Sequence, residues 1–425
     1  SWDAGLFRVT TPPIALFGPD SGVPDRTRTL LATADGAVLL GAKQALYRVR
    51  GDQVDPLPWT PLATTGDQLL SLAQLPDGRL LRGRYFGVDI ASPPAYADWL
   101  PITATLGYTQ AAYGLHVDAA GALWTSDVHT LRFDQKAWTE IDASPGVLYA
   151  YTVDREGVLW GAGFGAFRWG PGQRFVDAGA PRPPGRFILM SALTDSRGHV
   201  WFGGYETGLF RFDGKSWLHI DSARGLPDDT GYGVLEDDRE RLWISHGRGL
   251  YTLALDEADR LARDSTAIVQ VREYGSADGL PANGFNGGSG LAAVKDRSGL
   301  LWFVGDRGAV RLDPAQLPQP LAHPKVLIDA LTIDGRPVRL GSHLQLPAGA
   351  QSVSVDVRAP APGYADRIAL RYRLDPMELE WRALPRSHLI EYQRLPPGSY
   401  RLRVQSAVDG LDWSDALDLA IEQIP

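Results

Sequence analysis

Asp195-Ser-Arg-Gly-His-Val-Trp201-Phe-Gly-Gly-Tyr205-Glu-Thr-Gly-Leu209-Phe-Arg-Phe-Asp213-Gly-Lys-Ser-Trp217 decides the fold of this 425-residue chain. A polar Asp-x-x-Gly turn opens it, a short apolar run carrying Trp201 follows, and a glycine-rich turn leads to a second apolar run, Leu209–Phe212. That order reads as two antiparallel strands with a turn on each side. The phrase recurs. Asp118 and Trp124, Asp154 and Trp160, Asp237 and Trp243, and Asp296 and Trp302 keep its six-residue step. Gly121, Gly157, Gly198 and Gly299 fill the turn, with Glu240 the exception. Two copies lack the tryptophan: Asp35-Gly36 leads to Leu39, and Asp77-Gly78 to Leu81. The anchors 39, 81, 124, 160, 201, 243 and 302 are spaced by 42, 43, 36, 41, 42 and 59 residues. A repeat of about 40 residues matches one four-stranded propeller blade, so the pattern predicts seven blades. The tryptophans are read as core residues on the second strand, packed between blades. None of the Asp-Gly turns has the alternating acids and distal Glu of a calcium loop.

The rest of the chain fits around this repeat. Gly5-Leu-Phe-Arg-Val9 resembles the second half of a copy, and the seventh copy runs into Pro314 and Pro318 without an outer strand. A strand donated from residues 2–17 would complete the last blade and leave no long open sheet edge. The 59-residue spacing marks an insertion near 255–270, read as a short helix or loop whose charges form a solvated face. A Pro-rich linker at 318–324 ends the repeat, so the propeller is assigned to 1–317. From 325 to 425 the runs alternate apolar and polar residues, as in Ser352–Val357 and Tyr400–Ser406. About seven short strands over that length predict an immunoglobulin-like sandwich, making the whole chain all-β.

Composition narrows the function. Hydrophobic residues are 44% and charged residues 22%, enough for a large core, and the net charge of -8 argues against nucleic-acid binding. There is no cysteine, which removes disulfides, thiolate metal sites and a Cys nucleophile. No apolar run is long enough to span a membrane, and no signal-peptide pattern opens the chain; the reading is a cytosolic protein or a processed exported piece. The eight histidines are scattered, with no His-Glu-x-x-His, Gly-x-Ser-x-Gly or phosphate loop. No catalytic residue, metal ligand or cofactor is assigned. A secreted propeller lyase or glycosidase could still join residues of separate blades, His246 with Glu206 for example, and a propeller module that binds a protein without signalling is the other alternative.

In a propeller, the turns between second and third strands share one face with the segments leading into each blade. That face is the expected ligand side. The register places Tyr85, His129, Phe164, Tyr205, Glu206, His246, Arg248, Asp306 and Arg307 in the turns, and Tyr149, Tyr232, Phe285 and Asn286 in the leading segments. A ring of aromatic and charged groups suits a small ligand, an oligosaccharide or a peptide.

Asp296-Arg-Ser-Gly299-Leu-Leu-Trp302-Phe-Val-Gly305 and Gly279-Leu-Pro-Ala-Asn283 resemble the two-component regulator propeller repeat. Tyr372-Arg-Leu374, Trp381, Tyr392, Leu395-Pro-Pro-Gly398-Ser-Tyr400 and Trp413 resemble the three-tyrosine, or Y_Y_Y, domain that follows such propellers. The resemblance covers nearly the whole chain. It implies the periplasmic sensor region of a membrane-bound bacterial signalling protein; a signal needs two states, so a homodimer through the membrane-proximal C-terminal domain is expected. A transmembrane helix and a histidine kinase or diguanylate cyclase would lie outside these residues. Many members carry two propellers, whereas this chain has room for one.

Overall fold

The computed structural model describes residues 13–59, 66–106, 109–141, 145–170, 173–264, 266–281, 284–317, 324–339, 343–361, 368–385, 388–408 and 413–425. Two compact units divide the chain, Ser1–Gln316 and Leu317–Pro425. The first holds seven antiparallel four-stranded sheets. The fifth blade is typical: strands Leu189–Thr194, Val200–Gly204, Leu209–Phe212 and Trp217–Ile220 pair in sequence order. The innermost strands of the first and seventh blades touch, so the sheets close into a ring. In the seventh blade the outer strand is Ile14–Phe17 from the N-terminal region, paired antiparallel to Gly308–Leu312. The donated strand thus lies at the end of the predicted span, and Gly5–Val9 falls outside the described residues. Phe17 stacks on Trp302 at 5.1 Å, with Arg311 lying over both rings.

The repeated aspartate explains why each copy folds alike. In five blades one carboxylate oxygen accepts the indole Nε1–H of the tryptophan six residues on: Trp124 to Asp118 and Trp201 to Asp195 at 2.8 Å, Trp160 to Asp154 and Trp243 to Asp237 at 2.7 Å, and Trp302 to Asp296 at 2.8 Å. The other oxygen takes backbone N–H groups of the turn; Asp195 accepts from Arg197 at 2.9 Å and His199 at 2.8 Å. The indoles then pack outward from their own blade. Trp201 lies among Val234, Leu242 and Ile244 of the sixth, and Trp302 among Leu30, Val38 and Leu40 of the first. The two copies without tryptophan bury Leu39 and Leu81 instead. There the second blade imports its aromatic mass: Arg82 lies between Trp59 and Trp99, 4.5 and 4.6 Å from their rings, and pairs with Asp89 at 2.7 Å.

The insertion is the helix Leu255–Arg263, between the third and fourth strands of the sixth blade. Leu255, Ala258 and Leu261 are buried on one side of it. Its charges depart from the predicted solvated face. Asp259 pairs with Arg211 at 2.5 Å and Arg197 at 2.6 Å, and Arg197 reaches Asp256 at 2.7 Å and also Glu240. The helix therefore bolts the sixth blade to the fifth by ion pairs, one partner of which, Arg211, is buried.

The second unit is a sandwich of two sheets. Leu327–Ile333, Ser352–Arg358 and Leu389–Gln393 form one, with Arg336–Pro337 at its edge. Ile368–Asp375, Gly398–Val408 and Leu417–Gln423 form the other, joined by Arg382–Ala383 and by His343–Leu346, which runs parallel to Leu417–Gln423. Val353, Val355, Leu370, Leu374, Leu402 and Val404 alternate into a common core. The tyrosines are structural. Tyr392 packs edge-on to Tyr372 and donates to Glu378 at 3.1 Å, while Tyr400 donates to the Pro396 carbonyl at 2.8 Å.

Removing one turn carboxylate strands a buried indole N–H. Asp195→Ala is expected to lower stability by roughly 2–4 kcal/mol in equilibrium urea unfolding. An effect under about 0.5 kcal/mol would contradict this role. A second outcome concerns pH. Burial alone would raise Asp237, but bonds from Trp243 and Arg241 outweigh it and hold the carboxyl below its ordinary 3.8. A folded-state pKa below the unfolded one gives stability present above pH about 4 and lost as pH falls through the folded value. Asp237→Asn should flatten the acid limb of a stability-versus-pH curve.

Candidate functional site

The leading segment of the seventh blade changes the predicted face most. Phe285 forms a lone bridge with Gly305, and the Asn286 side chain donates to Asp306 at 2.9 Å. From there Gly287, Gly288, Ser289 and Gly290 cross the axis of the ring. A Cβ at Gly287 would lie 2.9 Å from Tyr232 Cβ, and one at Gly288 3.5 Å from Met190 Cε. One at Gly290 would meet the Leu70 carbonyl at 2.8 Å, Ser71 Cα at 2.9 Å and the Thr29 hydroxyl. Gly290 N–H donates across to the Tyr113 carbonyl at 2.6 Å. These contacts belong to the sixth, fifth, second, first and third blades. The glycine loop is therefore a plug over the channel: Gly287 and Gly290 have no room for a Cβ, and Gly288 and Gly290 sit at φ +88° and +57°.

Around this plug the phenols form two groups. Tyr113 packs edge-on between Tyr85 at 5.9 Å and Tyr149 at 5.5 Å. Burial pushes the Tyr113 phenol up to about 12, helped by Tyr85, Tyr149 and Asp127. Burial also raises Tyr149, against the pull of nearby Arg186. On the other side Tyr205 and Tyr232 lie 6.5 Å apart, and burial, with Tyr205, Asp228, Asp306 and Glu206 around it, raises the Tyr232 phenol. Both groups are half-buried and presented as an aromatic surface with hydroxyl edges.

The predicted residues divide accordingly. Tyr85, Tyr149, Tyr205 and Tyr232 flank the plug; Phe164, Glu206, Arg248, Asp306 and Arg307 are exposed on the turns. Arg248 leans on the Pro227 carbonyl at 3.1 Å and Asp228 at 3.6 Å, and Arg307 lies 3.8 Å from Asp25. His129 points to Glu140 of its own outer strand at 2.5 Å. Two residues leave the predicted surface. Phe285 is 2% exposed and packs edge-on to Phe303, because its bridge to Gly305 turns the ring into the blade. His246 is also 2% exposed; burial depresses its pKa, and its neighbour is Asp228 at 3.4 Å, not Glu206. Among the described residues no group of three or more His, Asp or Glu is placed to hold a metal ion.

Tyr113 was not among the predicted residues, although its signal was available. Tyr113, Tyr149 and Tyr232 each stand five residues before the aspartate of their blade's turn. The plug had no such signal, since Gly287-Gly-Ser-Gly290 reads as any loop. Gly290→Ala should cost at least about 1 kcal/mol, as a Cβ there is both strained and crowded. Hydrogen exchange should show a well-protected Gly290 amide in the parent and faster exchange at this loop in the variant; equal exchange in both would show that the loop does not seat across the channel.

Residues 363–422 match the Y_Y_Y domain. No curated protein matches the chain in sequence. Among solved structures, the extracellular domain of a protein described as the hybrid two-component system BT3049 from B. thetaiotaomicron is similar over 98% of this chain and 58% of that one, at 17% identity and a TM-score of 0.73. That of BT4673, from the same organism, is similar over 98% and 60%, at 16% identity and a TM-score of 0.53. The chain thus spans about three fifths of these two extracellular domains. A streptogramin B lyase matches 71% of this chain and 97% of its own, at 12% identity and a TM-score of 0.54. Among the described residues no helix is long and apolar enough to cross a membrane. The chain is a seven-bladed propeller followed by a sandwich whose residues 363–422 match the Y_Y_Y domain, and its fold is similar to that of these two extracellular domains.

Proposed function

We propose that this chain is the periplasmic, ligand-sensing region of a membrane-bound bacterial signalling protein. The propeller binds a ligand at the tyrosines around the plug. The sandwich passes the binding signal to a transmembrane helix of the same polypeptide, and a cytoplasmic histidine kinase or diguanylate cyclase is the output. The observation that carries this reading is the ordered pair of units, a propeller with a Y_Y_Y domain behind it. On this reading the region binds without turnover: His246, beside Asp228, is buried beneath the ligand face, and His129 is engaged with Glu140 of its own outer strand. A homodimer through the C-terminal unit supplies the two geometries that a signal requires. The outer surface of its five-stranded sheet supports that contact, for Arg371 lies between Trp381 at 4.7 Å and Trp413 at 4.1 Å, and arginine and tryptophan are enriched in interfaces.

The test is a thermal-shift screen of the 425-residue chain against oligosaccharides, peptides and small metabolites, with oligomeric state followed in parallel. A ligand at 100 times its dissociation constant adds roughly 2.7 kcal/mol. Tyr113→Ala and Tyr205→Ala are expected to weaken the hit. A hit indifferent to both variants would move the site off this face, and turnover of the hit by the chain itself would replace the sensor with an enzyme.

A further inference from the structure

We propose that the ligand face docks an extended polypeptide segment whose bulky apolar side chains lie beside a basic end. This rests on the reading of that face as the ligand side. The turns joining second and third strands are equivalent in every blade, yet their tips differ in kind around the ring. In the second, third and fourth blades the tips are Phe86, Val128 and Phe164, exposed to 36%, 71% and 43%. Three consecutive blades thus hold apolar side chains in water, on turns where the rest of the ring exposes Lys43 and Gln44, Glu206, Arg248, and Asp306 and Arg307. The Tyr85–Tyr113–Tyr149 group continues this arc inward.

A saccharide is held by stacking on an open ring and by hydrogen bonds to its hydroxyls. Val128 offers neither, and the Tyr85, Tyr113 and Tyr149 rings beside these tips already pack edge-on to one another. Apolar side chains of a partner would remove all three tips from water, and burial of such exposed clusters is what marks a protein-interaction surface. The neighbouring sector adds the second half of the signature. Glu206 is exposed at φ +56°, its backbone N–H held by the Thr230 hydroxyl at 3.3 Å. Glu206, Asp228 and Asp306 all bear on the Tyr232 phenol; Asp228 is shared between His246 and Arg248 and Arg307 lies by Asp25, which leaves Glu206 as the carboxylate of this sector open to a cationic partner. A lysine- or arginine-bearing end complements that edge and fixes the direction of the segment. The plug floors the surface, so the contact is broad and shallow. A strand-like segment lying across several blades fits it better than a compact molecule inserted into a channel.

The experiment selects a phage-displayed random decapeptide library on the immobilised 425-residue chain and, separately, titrates a panel of neutral hexasaccharides. Selected peptides should combine Phe, Leu or Trp with Lys or Arg. Their retention should fall about tenfold or more on Phe164→Ser and Val128→Ser, exposed changes that leave the core alone. It should also become less salt-sensitive on Glu206→Gln. A hexasaccharide that binds through Tyr113 but is indifferent to Phe164→Ser would overturn the peptide class and keep this face as the ligand side. Enriched peptides without the apolar-basic pattern would also overturn it. Retention unchanged by both Phe164→Ser and Tyr113→Ala would overturn the docking surface and the ligand face together.

Discussion

The hydrogen bond from a buried indole to the aspartate six residues before it governs the propeller. It joins two requirements that would otherwise compete. A tight turn needs an acceptor for its own backbone N–H groups, and a tryptophan buried between sheets needs an acceptor for its Nε1–H. One carboxylate serves both, as Asp195 does for Arg197, His199 and Trp201. The bond sets how far the second strand slides relative to the turn, and hence the depth at which each indole meets the next blade. Since Trp160 packs with Val200 and Phe202 of its neighbour, the same bond that orders a blade also positions its successor.

A ring built this way has a seam and a hole, and the structure treats both. The seam is closed by a strand from the opposite end of the sequence, with Arg311 laid over Phe17 and Trp302 to add a charged lid to the joint. The hole is closed by the glycine loop, whose backbone reaches the Tyr113 carbonyl on the far side. The loop costs little side-chain entropy, having almost no side chains, and it turns a channel into a floor.

The fold was readable because it is written many times. Five Asp-to-Trp steps fix the strand order, and the alternation after residue 325 fixes the sandwich. What the periodicity concealed lies in the departures from it. The helix at 255–263 looked like solvated charge because Arg197 and Arg211, the partners of its Asp259, are 62 and 48 residues away in sequence and come close only in the ring. Phe285 and His246 stand at face positions by register, yet a single bridge and a neighbouring acid turn them inward. Side-chain direction at strand ends is a tertiary property, so a register can place a residue on a face without deciding what it shows. Tyr113 is the opposite case: the register marked its position, and only the neighbouring rings make the position meaningful.

The two faces of the propeller differ in what their polar groups are free to do. On the side of the aspartate turns the carboxylates are committed to the fold: Asp118, Asp154, Asp195, Asp237 and Asp296 each hold an indole, and Lys295 bridges to Asp238 at 2.6 Å. A ligand there would compete with the interactions that keep the blades in register. On the opposite side the plug and the strand-end glycines carry the structural load through backbone contacts. The tyrosine rings, the apolar tips and Glu206 are left at the surface without a structural duty of comparable weight. A sensor gains from that division, because contacts made on the free face can vary with the ligand while the bonds that define the blade do not. Under the proposed reading, a change of state must then travel through blade-to-blade packing, which each Asp–Trp bond keeps stiff, and not through loss of the bonds themselves.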